Sequence, residues 1–410
     1  MDNSYAQVQR GRYLAAAGDC EDCHTAAGGK PYAGGRAIPT PFGTIYSPNI
    51  TPDQATGLGG WTRDQFYRAM HEGLSAHGAH LYPAFPYTNF TRATREDVDD
   101  IWAYLQTLDP VRSRHPPNEL PWPLSMRWVM SVWNTLFFDE GTFKPTPGKS
   151  AEWNRGAYLV EGLGHCGACH TQKNFLGADE GGSFLQGGGV QDWFASNLGG
   201  DHRDGLGAWS KDDIVEYLAT GRNRHAGAGG PMGEVIQYST SKMTHDDLAA
   251  IATYLKDLPS QPENAGSDST WDQIVGFFEG HRSASDNEDG GAKPDDKVMA
   301  AGEAIYVDQC AACHKADGTG VPGMFPPLRG NANVQARSPT TVAHAILYGV
   351  RTEPTNARPT PFAMPAYGWK LKNPEVAAVA TYVRNAWGNH AAPVTRDQVH
   401  DVRTGIVASE

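Results

Sequence analysis

Apolar residues recur with helical spacing in three separated stretches of the chain. Each stretch follows a polar capping residue and carries apolar side chains three, four and seven positions apart. This spacing places them on one buried face of a helix. We therefore predict amphipathic helices over 94–108, 244–258 and 373–387. Their apolar faces consist of Val98, Ile101, Tyr104 and Leu105; Leu248, Ile251, Tyr254 and Leu255; and Val376, Val379, Tyr382 and Val383.

Other segments recur ahead of these helices, which indicates an internal repeat. A short opening helix is predicted three times, and a middle helix is predicted to end at Gly73, Gly221 or Gly349, where a glycine can close the last turn. No segment has the alternation of a sheet-forming strand. The repetition predicts a mainly α fold with three tandem units, of which the first two share more sequence. The opening helices carry Gly11-Arg12-Tyr13-Leu14, Gly156-Ala157-Tyr158-Leu159 and Gly302-Glu303-Ala304-Ile305-Tyr306.

The segments between the units differ in character. The first connector contains an apolar, Trp-rich helix near 126–138 and is too hydrophobic for a free linker, so we expect a brace packed between domains or a partner surface. The second connector is polar and acidic, which is typical of an exposed tether. The expected division is a first domain 1–110, a brace 111–150, a second domain 151–260, an acidic linker 261–296, a third domain 297–390 and a C-terminal tail 391–410.

Composition narrows the function classes. A chain of 410 residues with 40% hydrophobic residues can build several small cores. Its net charge of −12 makes nucleic acid an unexpected partner and favours docking to basic patches on other proteins. No run of about 20 apolar residues is present, so we expect no bilayer-spanning helix.

One pentapeptide pattern occurs three times and contains all six cysteines. The pattern Cys-x-x-Cys-His is the attachment sequence of covalently bound c-type haem. Two thiols bond to the porphyrin, and the following His binds iron as the proximal ligand. We therefore predict three covalently bound haem c groups. The sites are Cys20, Cys23 and His24; Cys166, Cys169 and His170; and Cys310, Cys313 and His314.

Two other chemistries use paired cysteines. A zinc site with four Cys ligands combines two Cys-x-x-Cys pairs, so three pairs would leave one pair unused. A thioredoxin-like redox motif is expected next to a βαβ pattern, which this sequence lacks. The spacing therefore favours haem at each motif.

A methionine often binds the other side of an electron-transfer haem iron. Met364 lies nine residues before the last predicted helix of the third unit, and Met232 lies in a similar place in the second unit. We predict both as distal ligands. Met324 is a rival candidate for the third haem.

The first unit lacks this methionine. Phe85 stands where Met364 stands in the third unit, and a phenyl ring cannot bind iron. The sequence leaves open a five-coordinate iron, a histidine from the preceding loop (His77 or His80), or Met130 from the connector.

Several stretches make the chain resemble a known family. It is similar to the three-haem cytochrome c subunits of bacterial periplasmic, membrane-associated dehydrogenases, of the quinoprotein alcohol dehydrogenase and the flavin-dependent gluconate, sorbitol and fructose dehydrogenase types. The resemblance covers nearly the whole chain. Its most specific stretches are residues 153–171 around the second motif, Asn118-Glu119-Leu120-Pro121-Trp122-Pro123 with Trp133-Asn134, and Leu81-Tyr82-Pro83-Ala84-Phe85-Pro86-Tyr87.

The resemblance implies a fold and a set of ligands. It implies a mainly α chain of three tandem cytochrome c domains, with a helical brace between the first and second. The family's proximal ligands fall on His24, His170 and His314, and its distal ligands on Met232 and Met364. Its first-domain methionine often sits at the position of Phe85, so the first haem departs from the pattern.

The resemblance also implies a role, partners and a compartment. Such a chain is an electron-transfer subunit rather than an enzyme: it accepts electrons from a catalytic dehydrogenase subunit that oxidises an alcohol, an aldehyde, a sugar or a sugar acid. It passes them to ubiquinone or a downstream cytochrome or oxidase. We expect a periplasmic protein, with a secretion signal removed from this numbering, at the outer face of the cytoplasmic membrane. The polar end of the chain offers no evident anchor, which leaves peripheral association.

Three alternatives remain open. Cytochromes that accompany molybdenum hydroxylases look similar in the first unit, which keeps that class of partner. An open first haem would suit a self-sufficient multihaem enzyme, such as a peroxidase or a thiosulfate-oxidising cytochrome. A free electron shuttle is disfavoured by the Trp-rich connector, whose apolar surface needs a cover.

Overall fold

The computed structural model describes residues 4–260 and 293–405, and these are mainly helical. Residues 261–292 of the expected acidic linker and residues 406–410 of the tail lie outside the described residues. The α-helices, numbered α1 to α17, are Tyr5–Ala17, Cys20–Cys23, Arg63–Glu72, Tyr87–Phe90, Arg95–Leu105, Val129–Phe137, Ala151–Tyr158, Gly167–His170, Lys211–Thr220, Gly230–Tyr238, His245–Lys256, Asp296–Gln309, Ala311–His314, Ala332–Gln335, Thr340–Tyr348, Asn373–Asn385 and Arg396–Thr404. A π-helical turn over Leu159–Leu163 extends α7, and a 3-10 turn covers Thr240–Lys242.

The expectation of no strands was wrong. Residues 4–260 and 293–405 contain three antiparallel sheets of two strands each, with strands of only two to four residues. Segments this short cannot show a readable alternation of apolar and polar residues, which is why the sequence did not reveal them. The strands, β1 to β6, are Ala37–Thr40, Gly43–Tyr46, Gly188–Val190, Trp193–Ala195, Val350–Arg351 and Ala363–Met364.

The predicted helices are observed, with ends shifted by a few residues. The closing helices of the three units are α5, α11 and α16, and the middle helices α3 and α9 end at Gly73 and Gly221 in the left-handed conformation. Thr62 and Ser210 cap these two middle helices through capping boxes. No described helix is long and apolar enough to cross a bilayer.

The chain forms two compact units, which do not follow the sequence repeat. One comprises Met1–Ala168 with Glu234–Tyr254, and the other comprises Cys169–Gly233 with Leu255–Glu410. The first contains the pairs α1 with α5 and α7 with most of α11. The second contains the pair α12 with α16.

Each opening helix packs on its closing helix through a glycine. A Cβ atom added to Gly11 would lie 1.8 Å from the backbone oxygen of Asp100. A Cβ atom added to Gly156 would lie 2.0 Å from the backbone oxygen of Ala250. One added to Gly302 would lie 2.3 Å from that of Ala378. Only a residue without a side chain lets the two backbones approach this closely. The repeated glycine therefore sets the crossing point of each helix pair.

The first connector packs against the first repeat. Arg127 donates a 3.0 Å hydrogen bond to the carbonyl of His80, and the hydroxyl of Tyr82 donates to the carbonyl of Leu124 at 2.9 Å. The hydroxyl of Tyr87 donates to Asn134 of α6 at 2.6 Å. These contacts fix α6 against the loop that precedes α4.

The other face of α6 is apolar and open to solvent. Trp128, Val132 and Leu136 are spaced four residues apart, and 62%, 53% and 49% of their surfaces are exposed. Trp122, earlier in the connector, is also exposed. Exposed apolar side chains grouped on one helix face are a candidate interaction surface.

The second compact unit has its core around α16. The buried side chains Val376, Val379 and Val383 pack with Tyr306 of α12 and Val402 of α17. The helix α17 and the residues before it therefore complete this core, although the sequence predicted only a polar tail there.

We predict that Gly11→Ala destabilises the protein by about 1–3 kcal/mol, because its methyl group would overlap the backbone of Asp100. Gly181→Ala is the matched control, since a Cβ atom there meets nothing within 4 Å. Denaturant unfolding of the haem-loaded proteins measures both changes. Equal midpoints for the two variants would contradict the proposed crossing geometry.

Candidate haem-binding sites

Each Cys-x-x-Cys-His motif forms a single helical turn just after an opening helix. The turns are α2, α8 and α13. In a helical turn, residues three apart point to the same side. The two cysteines of each motif can therefore face one edge of a flat ring. All six cysteines are free of disulfide bonds, as covalent attachment to haem requires.

The proximal histidines share one hydrogen bond. The Nδ1 atom of His24 lies 2.7 Å from the carbonyl oxygen of Pro48, and that of His170 lies 2.7 Å from the carbonyl oxygen of Ser196. The Nδ1 atom of His314 lies 3.0 Å from the carbonyl oxygen of Pro326. A carbonyl can only accept, so Nδ1 carries the proton and Nε2 keeps the lone pair that binds a metal. All three sites therefore fit a haem iron.

Burial keeps these imidazoles neutral. It lowers the pKa of His24, His170 and His314, and the carbonyl hydrogen bonds only partly offset this effect. A neutral imidazole is the form that binds iron.

A glycine also fixes the backbone of each proximal histidine. The carbonyl oxygens of His24, His170 and His314 accept hydrogen bonds of 2.7, 2.8 and 3.0 Å from the N–H groups of glycines. All of these glycines adopt positive φ angles, which favour a residue without a side chain. The donors, in the same order, are Gly34, Gly187 and Gly320.

The thiols do not have the character of a redox pair. Burial raises the pKa of Cys20 to about 12 and that of Cys310 to about 11, and it raises the pKa of Cys23 as well. Cysteines in thiol-exchange motifs have lowered pKa values instead. Among residues 4–260 and 293–405, no three or more His, Cys, Asp or Glu side chains form a metal-binding group.

The two methionine candidates of the third repeat differ in their exposure to solvent. Met364 lies in β6, pairs with Val350 and packs against the buried core around α16. Met324 has 48% of its surface exposed. A thioether that binds a haem iron is shielded from water, so burial favours Met364.

Met232 of the second repeat lies in a helix rather than in a loop. It occupies the first turn of α10 and is partly buried. Gly230, two residues earlier, has a positive φ, and a Cβ atom there would lie 2.6 Å from the indole of Trp193. The start of α10 is thus seated against the sheet of β3 and β4. The carbonyl of Ser196 that orients His170 directly follows this sheet.

The candidate distal ligands of the first repeat differ in their exposure to solvent. The ring of Phe85 packs against Phe90 at 5.3 Å between centroids and offers no ligand atom. His77 is exposed. His80 is partly buried, and its Nδ1 atom lies 3.5 Å from Asn134 of α6.

Met130 is the buried alternative. Only 7% of its surface is exposed, and it shares the inward face of α6 with Trp133. This helix is held against the loop of His80 and Tyr82 by the hydrogen bonds described above. The connector thus holds a buried thioether on a helix whose Asn134 bonds to Tyr87, two residues after Phe85.

The groups that orient the histidines were missed at the sequence level. Pro48, Ser196 and Pro326 act through backbone carbonyls, which every residue has, so no side-chain signal marks them. The glycines at positions 34, 187 and 320 could have been noticed, but their distances from the motifs differ between repeats.

Comparison with known proteins agrees with this geometry. The family model described as Cytochrome c matches residues 8–109, 154–259 and 299–387, so each match contains one motif. The chain is 40% identical to the gluconate 2-dehydrogenase cytochrome c subunit of Pantoea cypripedii, covering 97% of this chain and 90% of that protein. It is 42% identical to the cytochrome c subunit of alcohol dehydrogenase (quinone) of Gluconacetobacter polyoxogenes, covering 100% and 86%.

A third relative has a different context. A nicotinate dehydrogenase subunit of Pseudomonas putida is 41% identical over 93% of this chain, which covers 30% of that protein.

These matches confirm the resemblance to cytochrome c subunits of dehydrogenases. With three family matches and three equivalent histidine sites, the chain belongs to the cytochrome c family.

Proposed function

We propose that this chain is the three-haem electron-transfer subunit of a dehydrogenase complex. It accepts electrons from a catalytic partner that oxidises an alcohol, an aldehyde, a sugar or a sugar acid. It delivers them to ubiquinone or to another respiratory carrier. The proposed location is the periplasm, at the outer face of the cytoplasmic membrane.

The observation that carries this proposal is the identical construction of three sites. Haem c supplies one-electron chemistry when bound, through its iron. In each site the protein provides two thiols, a neutral imidazole and a carbonyl that fixes the imidazole. Such a design orients and shields an electron carrier. The dehydrogenase relatives support a separate catalytic partner.

We assign the distal ligands as Met130, Met232 and Met364 for the first, second and third haems. Burial supports Met130 over His77, and its position on the inward face of α6 supports it over a five-coordinate iron. The ring of His80 lies 3.5 Å from Asn134 of α6, and its carbonyl accepts a hydrogen bond from Arg127, just before that helix. In this assignment the brace completes the first site from outside its own repeat.

The exposed face of α6 is the proposed contact with the catalytic partner. Trp128, Val132 and Leu136 form an apolar stripe on a helix whose other face is already anchored. Aromatic residues are enriched at protein interfaces, and an apolar stripe of this size is costly to leave in water. Identification of the co-purified subunit distinguishes a quinoprotein, a flavoprotein and a molybdenum enzyme as partner.

Loss of Met130 should open one haem to ligands. We predict that the ferrous wild-type protein binds no carbon monoxide, whereas Met130→Ala binds one equivalent. His80→Ala and Met70→Leu are matched controls that should leave all haems closed, since Met70 is buried within α3. Optical titration with carbon monoxide measures this.

Two results of that titration would contradict the assignment. Binding by the wild-type protein would favour a self-sufficient haem enzyme with an open first site. Opening by His80→Ala but not by Met130→Ala would make His80 the ligand.

Replacement of Met364 should lower one reduction potential. We predict that Met364→His lowers the potential of one haem and leaves the others unchanged, because a thioether raises the potential relative to a second imidazole. Met324→Leu should leave all three potentials unchanged. A spectroelectrochemical titration decides, and a shift in Met324→Leu alone would reverse the assignment.

The proposed partner contact can be tested by purification. We predict that the native protein co-purifies with a dehydrogenase subunit and that Trp128→Ser/Val132→Ser/Leu136→Ser loses it while its haem spectrum is unchanged. Tyr5→Ser is the control, since Tyr5 is an exposed aromatic residue away from α6. Recovery of the wild-type protein alone, as a monomer, would instead favour a free shuttle.

A further inference from the structure

Two tyrosines cross between the first repeat (8–109) and the second (154–259). Tyr13 of α1 donates a 2.6 Å hydrogen bond to Asp247 of α11, in the other repeat. Tyr158 of α7 donates to Asp97 of α5, again in the other repeat. Tyr13 and Tyr158 occupy equivalent positions, each two residues after the glycine at a helix crossing. The exchange is therefore reciprocal, and all of it lies within the first compact unit.

Each hydroxyl also completes a helix cap. The N–H group of Thr94 donates to the hydroxyl of Tyr158 at 3.1 Å, and that of Thr244 donates to the hydroxyl of Tyr13 at 3.2 Å. In an ordinary capping box the third residue of the helix accepts this N–H group directly. Here the tyrosine of the other repeat stands between the N–H group and the aspartate. The N–H groups of Thr94 and Thr244 thus find their acceptor only when the other repeat is in place.

An arginine of the same repeat neutralises each aspartate. Arg10 pairs with Asp97, and Arg155 holds Asp247 with two hydrogen bonds of 2.8 and 2.7 Å. Burial alone would raise the pKa of Asp247, but the hydrogen bonds from Arg155 and Tyr13 outweigh this and lower it. Both aspartates are buried, so an unpaired charge there would be strongly unfavourable. The tyrosine therefore meets a carboxylate that is already fixed in place.

The same surfaces bring two haem attachment segments together. A Cβ atom on Gly18 would lie 3.8 Å from the carbonyl oxygen of Leu163. The ring of His165 packs against the ring of Phe90 of the first repeat, with 5.5 Å between the ring centroids. Gly18 lies two residues before Cys20, and His165 lies directly before Cys166. The segments that carry Cys20 and Cys166 are therefore in contact.

The third repeat lacks this arrangement. Ala301 and Ala304 replace the arginine and the tyrosine that flank the crossing glycine. Its closing helix α16 has Glu375 as third residue, and the N–H group of Lys372 donates to Glu375 directly at 2.8 Å. The N–H group at the cap of α16 is therefore satisfied within the third repeat itself.

We propose that Tyr13 and Tyr158 are positioning residues that hold the Cys20 and Cys166 segments at a fixed separation, so that the haem groups attached there exchange electrons as a coupled pair. The proposal rests on the proposed electron-transfer function. It assigns the first two repeats a mutual constraint that the third repeat does not share.

Hydrogen exchange of the haem-loaded protein tests the reciprocal caps. Tyr13→Phe should speed amide exchange roughly five- to tenfold at residues 244–248, because one hydrogen bond to that turn is lost. Tyr158→Phe should do the same at residues 94–98. Tyr46→Phe is the matched control, since the hydroxyl of Tyr46 bonds to Glu119 at the surface and not to a helix cap. Residues 372–376 should be unchanged in every variant.

The location of the effect decides the first part of the proposal. Faster exchange in the opposite repeat supports it. Faster exchange confined to the substituted helix, or equal effects in Tyr46→Phe, would overturn it.

Electron redistribution after flash photoreduction tests the consequence for the haems. In the wild-type protein one fast exchange phase is expected, and in Tyr13→Phe/Tyr158→Phe this phase should slow and broaden at unchanged haem content. An unchanged fast phase in the double variant would overturn the positioning role alone. A haem-loaded wild-type protein with no exchange between haems would instead overturn the proposed function.

Discussion

The hydrogen bond from each proximal imidazole to a backbone carbonyl is the constraint on which the haem sites depend. Without it, either ring nitrogen of His24 or His314 could carry the proton, and the ring could turn away from the iron. The acceptors lie 24, 26 and 12 residues after their histidines, so each needs a folded loop to reach its place. The short sheets β1–β2 and β3–β4 serve this purpose in the first two repeats, where they end just before the acceptor.

The sequence predicted those parts of the fold that repeat a side-chain pattern. The closing helices were found from spaced apolar residues such as Val98 and Ile101, and the cofactor sites from cysteine spacing. It did not predict contacts made by backbone atoms, such as the carbonyl of Pro48 beside His24. It also missed β5 and β6, since two residues cannot show a period.

The distal ligand of the first haem site could not be predicted from the repeat alone. Aligning the repeats places Phe85 where the third repeat has Met364, but it cannot rank Met130 against His80 because Met130 lies outside the repeat. That ranking depends on where α6 docks, which is set by Arg127, Tyr82 and other contacts distant in sequence. The sequence likewise showed that a glycine recurs in each opening helix. It did not show that the backbone of Gly11 packs directly on that of Asp100 in α5.

The three repeats differ in how far their helix caps depend on a neighbouring repeat. The first two depend on each other through shared caps and adjoining attachment segments, whereas the third completes its own cap with Glu375 and its own core with α17. Repeated sequence therefore does not imply equivalent neighbours. Electron flow through such a chain would depend on which haems the protein constrains together.

We propose that three haem groups are covalently bound, one at each Cys-x-x-Cys-His motif. Intact-mass spectrometry of the denatured, acid-acetone-washed protein, with peptide mapping of the cysteines, tests this most directly. We expect a mass equal to the polypeptide plus three haem groups, with Cys20, Cys166 and Cys310 each in a haem-bearing peptide. A mass equal to the bare polypeptide, or alkylation of free thiols at all six cysteines, would contradict it.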